Sequence, residues 1–370
     1  MKPLRILVVG AGIAGLALAR ALENGGLTAE VVERDTAPHR SGTGMYLPAN
    51  AVRALDRLGL GGELAAVGEP VERQRLLNDR GRVLADYTLA DVWGDTGRGH
   101  ALARGDLTSI LRGSLVTTPV REAAVDTVAD DGTVRFTDGT RETYDLVVGA
   151  DGIGSQVRRG LFDAPEPRFL GQVCWRFIAD GVDSGSLGRV WTARLGPGRT
   201  FLTVPLGDGR VYCYADLLSD RPQPPAGDWR ALFDDFGGPV PHLLSKGDGA
   251  RFAPLSEVAA SDWVRPRAVL IGDAAHACSP SMAQGGAMAL EDAVVLGEIL
   301  TGAASGGPAA LPEALAAYRV RRLPRVQWVL QQNHRRDRAR SLPGPVRDLV
   351  LRLGGVRMVK ANHAPLRAEP

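Results

Sequence analysis

The stretch running from Leu4 through Gly15 constrains this chain more than any other part of it. Residues 4–9 form an apolar run broken only by Arg5, the pattern of a parallel strand covered on both faces. Gly10-Ala11-Gly12-Ile13-Ala14-Gly15 follows at once, and the spacing then predicts a helix over 13–22. The glycines permit a tight turn and let backbone N–H groups approach a pyrophosphate at the positive end of that helix. A second strand is expected over 28–33, which completes a βαβ opening. Glu33 closes it, 18 residues beyond Gly15, where a carboxylate can accept hydrogen bonds from both ribose hydroxyls of an adenosine. Strand, turn, helix and acid together predict a dinucleotide site without distinguishing FAD from NAD.

A chain of 370 residues can bury a sizeable core and is expected to form two intertwined domains with one site between them. Its 44 Lys and Arg against 42 Asp and Glu give a formal charge of +2, no electrostatic case for nucleic acid or a strongly charged membrane surface. The expected ligand is small. Cys174, Cys213 and Cys278 are scattered, with no C-x-x-C pair and no His spacing suited to zinc, so no metal site is predicted and a reduced, cytoplasmic setting fits. The basic, apolar start looks like a short signal peptide, but glycines interrupt it before an h-region is complete, and a buried strand is the better reading. No apolar stretch is read as reaching the roughly 18 to 20 residues of a membrane-spanning helix, so stable membrane insertion is not expected.

Farther along, a helix is predicted over 104–115 and strands over 125–128, 134–136 and 141–148, with Asp131-Gly132 and Asp138-Gly139 as hairpin turns. From 168 to 216, alternating segments between Gly-Pro-Gly and Gly-Asp-Gly turns read as antiparallel sheet. A short helix is expected over 229–236, a parallel strand over 268–271, a long helix over 285–300, and helix again over 311–340 with an interruption at Pro324. The fold class is therefore α/β: a Rossmann-type sheet interleaved with an antiparallel sheet, plus C-terminal helices.

Two later segments add to the first. Asp145-Leu-Val-Val-Gly-Ala-Asp151-Gly152 brings a carboxylate to the carboxyl edge of a sheet, where open α/β folds hold ligands. Ile271-Gly272-Asp273-Ala-Ala-His276 continues to Pro280, then Ala283-Gln284-Gly285-Gly286 and Glu291-Asp292. Asp273 at a strand end could accept from a ribityl chain. The Gln284-Gly285-Gly286 turn would aim a helix N-terminus at a flavin, stabilising the negative charge of its reduced form by about 1 kcal/mol or more.

These three blocks, in this order and spacing, resemble the para-hydroxybenzoate hydroxylase-like family of class A flavoprotein monooxygenases. The likeness extends over residues 44–55, Leu58-Gly59-Leu60, and Arg104 with Leu107 and Leu111. It implies non-covalent FAD, with NAD(P)H as electron donor and O2 and a small molecule as substrates. The expected reaction is hydroxylation or epoxidation of an aromatic or polyketide-like compound through a flavin C4a-hydroperoxide. By the resemblance, Glu33 and Arg34 would hold the adenosine part, Arg104 the phosphate or ribityl region, Asp273 the ribityl chain, and Asp151 and Gly152 both FAD and NAD(P)H. Gly10, Gly12, Ile13, Ala14, Gly15, Gly44, Gly272, Pro280, Gln284, Gly285 and Gly286 complete the expected cofactor set, with 45–47 and 280–282 bordering the flavin ring. This chain departs from the family where Gly-Gln-Gly-x-Asn is usual: it has Ala283-Gln284-Gly285-Gly286-Ala287, without the first glycine and the Asn.

In such chemistry the cofactor carries the difficult step and the protein orients and shields it, so no triad, nucleophile or metal is required. His276 reads as structural rather than as a general base. The substrate is expected between the flavin and the antiparallel sheet, where Trp175, Arg176, Trp191, Phe201, Tyr212 and Tyr214 lie; Arg176, Tyr212 and Tyr214 are the candidate substrate contacts. Arg176 could bind a carboxylate or phenolate bidentately, or equally pair with a surface acid. The Arg-rich 319–340 segment, packed through Val320, Leu323, Val326, Val329 and Leu330, reads as a helix with a solvated face. Expected boundaries are 1–70, 98–165 and 262–335 for FAD binding, 71–97 and 166–261 for substrate binding, and 336–370 for a C-terminal helical segment. A simple NAD-dependent dehydrogenase would carry the glycine fingerprint alone. A non-oxygenating FAD-bound cyclase or ligand-binding flavoprotein remains the alternative, and the chain would act as monomer or homodimer. Abundant Gly, Ala and Arg with little Lys accompanies high-GC genomes, where such enzymes often tailor secondary metabolites.

Overall fold

The computed structural model describes residues 3–36, 42–163, 166–260 and 262–370. A six-stranded sheet runs, edge to edge, Val264–Arg265, Ala268–Leu270, Leu146–Gly149, Ile6–Val9, Glu30–Glu33, Val120–Glu122. All its neighbours are parallel except the first pair. Ile6–Val9 is buried along its whole length and pairs with a strand on each side, which is why its sequence is apolar at every position rather than alternating. Parallel pairing puts the carboxyl ends of Ile6–Val9, Leu146–Gly149 and Ala268–Leu270 at one edge. The turns after them therefore meet.

A second, seven-stranded sheet runs Arg251–Glu257, Arg168–Ala179, Arg210–Leu218, Arg199–Gly207, Val190–Gly196, Arg73–Asn78, Val83–Thr88. It is antiparallel apart from one parallel pair, Val190–Gly196 with Arg73–Asn78. Period-two alternation gives it two faces. One face packs Trp175, Phe177, Phe201 and Cys213 against Phe233 and Phe236, with Trp229 stacked on Trp175 at 5.2 Å. The other carries Arg176, Tyr212 and Tyr214 toward the first sheet's turns.

Helices α1 (Ile13–Asn24), α2 (Ala49–Arg57) and α3 (Arg104–Gly113) belong to the first half of the chain, and α4 (Gly285–Ala303), α5 (Leu311–Ala339) and α6 (Gly344–Arg367) to the second. α1 and α4 touch so closely that a β-carbon on Gly297 would lie 2.5 Å from that of Ala21.

Several expectations are corrected. The segment 141–148 is not one strand: Arg141–Thr143 belongs to a hairpin sheet and Leu146–Gly149 to the six-stranded one. The switch falls at Tyr144, whose N–H still donates to Gly132, and Asp145, whose N–H donates to Arg5 on the first sheet. The segment 229–236 holds only a 3-10 turn, Trp229–Leu232, because Phe233 and Phe236 leave the helical path for the aromatic core. Pro324 does not interrupt α5. The carbonyl it leaves without a donor is that of Val320, which is 74% exposed and can be met by water. That exposure also removes Val320 from the expected packing face. Finally, the helical stretch Gly285–Ala339 is long and apolar enough by length and composition to cross a bilayer, with a mean hydropathy of 1.3 in its best window. Within α4, residues 287–297 are all buried in the protein.

Candidate active site

The first turn is shaped by its glycines. Gly10 has φ +106°, and a β-carbon there would sit 2.5 Å from the Ala150 carbonyl oxygen; one on Gly15 would sit 1.9 Å from the Gly10 oxygen. Both are needed for the turn to pack. Gly12 differs: nothing lies within 4 Å of its β-position, so the backbone there is open for a ligand. α1 begins at this point with no side-chain cap and no acid in its first turn, leaving its N–H groups available. Glu33 accepts from the Ala11 N–H at 2.9 Å and so braces the loop, while Arg34 beside it is exposed.

The second and third turns are tied to the first and to each other. A β-carbon on Gly272, at φ +58°, would lie 2.9 Å from that of Ala14. Arg158, buried, donates to the carbonyls of Ala274 at 3.0 Å and Ile153 at 2.7 Å. Asp151 caps the short helix Gln156–Leu161 through one oxygen, which accepts from the Gln156 N–H at 2.7 Å. Its other oxygen is buried without a hydrogen-bond partner among the described residues, and burial raises the carboxyl pKa. Asp273 is exposed at the head of the third turn.

A buried polar network holds that third turn. Asp292 accepts from the Gly272 N–H at 2.9 Å, from His276 at 2.6 Å and from Arg322 at 2.8 Å. Burial opposes its charge, yet His276 and Arg322 bring its pKa down to about 2. Glu291 pairs with Arg322 and Arg325, each at 2.7 Å, and with Asn50 at 2.8 Å. His276 is thus a positioning residue, fixed between Asp292 and the Trp263 ring. Arg322 is fully buried, which corrects the reading of its segment as a solvated face. Two acids adjacent on an apolar helix were the available signal for internal arginines.

The expected cofactor turn at Gln284 resolves into separate parts. The Gln284 side chain is buried and spent on Asn50, which donates to it at 3.0 Å. Gly285 and Gly286 open α4, and the β-position of Gly285 meets nothing within 4 Å. Ala283 stands at φ +52°, a left-handed conformation that suits glycine; an L-residue pays about 1 kcal/mol for it.

Between the two sheets lies a cavity of about 770 Å³. Its wall includes Gly12, Ile13, Ala14, Gly44, Arg104, Gly152, Asp273, Pro280, Gly285 and Gly286 of the expected cofactor set. Gly10, Gly15, Glu33, Arg34, Asp151, Gly272 and Gln284 stand behind or beside that wall. Met45, Tyr46 and Ser281 line it, whereas Leu47 and Met282 are core residues. The sheet contributes Arg176, Trp191, Tyr212 and Tyr214; Trp175 and Phe201 point into the aromatic core on the opposite face.

Arg176 has no carboxylate partner among the described residues and lies 5.7 Å from the Tyr214 ring centroid. Burial works against its charge, but Cys174, Tyr212, Tyr214 and Asp273 outweigh it and raise the guanidinium pKa. Burial holds both tyrosines protonated, pushing Tyr212 up to about 12 and Tyr214 higher still. The Tyr214 hydroxyl has no hydrogen-bond partner among the described residues.

Other cavity residues escaped the sequence reading. Gln332 and Arg336 of α5 and Leu351, Gly355, Met358 and Asn362 of α6 complete the wall. Arg336 donates to the Ser281 carbonyl at 2.7 Å; its second terminal nitrogen and the Gln332 amide nitrogen have no partner among the described residues. Regular spacing cannot reveal which face of a polar helix turns toward a cavity.

These residues fit an elongated flavin nucleotide. The open β-positions of Gly12 and Gly285 on the cavity wall and the uncapped starts of α1 and α4 are complementary to a ligand with phosphates and a polar ring edge. Comparison with known proteins agrees. The chain matches the FAD binding domain family over residues 4–167 and 239–333. It is 34% identical to the aurachin C monooxygenase/isomerase of Stigmatella aurantiaca, covering 90% of this chain and 88% of that one. It is 33% identical to the 2-heptyl-3-hydroxy-4(1H)-quinolone synthase of Pseudomonas aeruginosa, with 89% and 87% covered. The structure of Klebsiella pneumoniae HpxO with FAD and uric acid matches at TM-score 0.86 and 27% identity, over 99% of this chain and 97% of that one.

Proposed function

The chain belongs to the FAD binding domain family and is a FAD-dependent monooxygenase of the aromatic hydroxylase type, and on that premise we propose how its residues divide the work. Bound FAD supplies reduction by NAD(P)H and activation of O2 for transfer of one oxygen atom. Glycines 10, 12 and 15 with Ile13, Ala14 and Glu33 hold the adenosine and pyrophosphate, with Arg34 at the adenosine edge. Arg104, Asp151, Gly152, Gly272 and Asp273 hold the middle of the cofactor. Gly44, Pro280, Gln284, Gly285 and Gly286 set the ring end, where the start of α4 stabilises negative charge. The boundaries read from the sequence remain our assignment of the FAD-binding and substrate-binding parts.

The substrate is a small planar aromatic or heteroaromatic compound bearing an oxygen acceptor, and the reaction adds oxygen to an electron-rich ring carbon. The observation that carries this is Arg176, a cation on the cavity wall with no carboxylate partner among the described residues, 5.7 Å from the ring of Tyr214, whose hydroxyl is likewise without a partner among them. A phenolate, carboxylate or ring carbonyl would satisfy both. Tyr212 lines the same cavity. The name of the 2-heptyl-3-hydroxy-4(1H)-quinolone synthase supports the same class. Buried free thiols at Cys174 and Cys213 suit a reducing, cytoplasmic setting.

The test is a panel of quinolones, hydroxybenzoates and purines offered to the yellow holoenzyme with NADH or NADPH. One class is expected to accelerate flavin reduction and O2 uptake, and labelled O2 to appear in the product. Turnover without NAD(P)H or O2 consumption would overturn the reading.

A further inference from the structure

α6 has two unlike faces. One carries Gly355, Val359 and His363 inward, where a β-carbon on Gly355 would lie 3.4 Å from that of Ala85. The other presents Val346, Leu349, Val350 and Leu353 at 48, 56, 42 and 79% exposure. Spacing at i, i+3, i+4 and i+7 makes these one continuous stripe, and Leu342 in the preceding turn, 39% exposed, extends it. Apolar residues scattered singly on a surface need no explanation; a contiguous row of this kind does.

The charges around the stripe are mostly basic. Arg357 continues the same face and Arg352 flanks it, while the exposed Arg335 and Arg338 stand at the adjoining end of α5; Lys360, one turn on, lies 3.9 Å from Asp91. The only acid within α6 is Asp348, already engaged by Asn78 at 3.1 Å and by Arg347 at 3.0 Å. A second copy of the chain would offer the stripe apolar surface but no acid from this helix for its arginines. An anionic bilayer offers both, an acyl boundary and a negative headgroup layer.

We propose that α6 docks this protein on an anionic membrane surface, its apolar stripe lying in the plane of the interface and its basic residues on the headgroups. This is peripheral binding, not insertion across the bilayer. It goes beyond the assigned oxygenation and does not depend on the substrate class. Met358 is both 40% exposed and part of the cavity wall, so the docked surface would lie about one helix diameter from the cavity.

The test is co-sedimentation of the full-length holoenzyme with vesicles of phosphatidylglycerol mixed with phosphatidylcholine, and with vesicles of phosphatidylcholine alone. Binding to the anionic vesicles is expected to be at least about tenfold tighter and to weaken with salt. Leu349→Gln with Leu353→Gln should lower it about tenfold or more with flavin content unchanged, and Arg352→Gln with Arg357→Gln should blunt its salt dependence. Leu353→Gln alone, at the most exposed position of the stripe, guards against a folding defect and should weaken binding in the same direction. Holoenzyme that stays in the supernatant with anionic vesicles overturns the proposal. So does a dimer, seen by sedimentation velocity, that the leucine substitutions dissociate while vesicle binding is absent.

Discussion

Gly10 and Ala150 approach so closely that a β-carbon on the glycine would fall 2.5 Å from the alanine carbonyl oxygen, whereas two residues later Gly12 faces open space. The two glycines should therefore fail differently. Gly10→Ala combines a backbone clash with φ +106° and is expected to destabilise the fold by roughly 2–3 kcal/mol or more. Gly12→Ala should leave the apoprotein within about 0.5 kcal/mol of the parent and weaken FAD about tenfold or more. Urea melts of the apo forms and flavin titration check both; equal loss of stability in the two would refute the distinction.

Arg322→Met keeps the volume of a buried side chain and removes its charge from between Glu291 and Asp292. Glu291 keeps Arg325, but Asp292 is left with His276 as its ion-pair partner and the Gly272 N–H. Breaking a buried pair in this way costs about 3–5 kcal/mol. Adding Asp292→Asn should recover part of the loss, measured by chemical denaturation. No recovery in the double variant would mean that packing, not charge, is what Arg322 supplies.

Arg176→Gln should retain flavin, because this side chain sits on the sheet rather than on the nucleotide turns. A charge-assisted hydrogen bond is worth about 1.5–3 kcal/mol, so KM for an acceptor-bearing substrate should rise roughly 10- to 100-fold. A change of less than about twofold would remove Arg176 from substrate binding.

His363 is buried edge-on against Trp93 at 5.1 Å, its Nδ1 donating to the Val359 carbonyl at 2.8 Å. Burial, with Arg336 and Arg367 adding to it, lowers the imidazole pKa to about 4. The unfolded chain binds this proton near pH 6.5, so between those values the unfolded state holds more protons and stability falls as pH falls. The expected loss is about 2 kcal/mol on going from about pH 7 to about pH 5. His363→Gln should flatten that slope in urea melts, and an unchanged slope would assign it to other groups.

Much of this architecture is legible in the sequence, for identifiable reasons. The apolar run before Gly10, the Asp-Gly hairpin turns and the strand-ending Asp151 and Asp273 are local signals, and each stands where local physics puts it. The break at Tyr144 and Asp145 was not legible, because it is made by Gly132, Glu30 and Arg5 from elsewhere in the chain. The inward turn of Gln332 and Arg336 was hidden for a similar reason. Their helix carries charge all round, so composition offers no face, and only the sheet opposite decides which side is the wall. Arg322 shows the converse: a residue type that belongs on surfaces is buried because two acids were already inside.

Arg322 and Arg325 also impose an order in time. The turn at Gly272 and Asp273 is secured through Asp292 to an arginine that the ribosome adds about 50 residues later. Vectorial synthesis can finish the first βαβ unit early, but the last of the three loops stays unlocked until α5 has emerged and docked. Cofactor capture is therefore expected late in the life of each new chain, and slow docking of α5 is expected to yield pale, flavin-poor protein before unfolded protein.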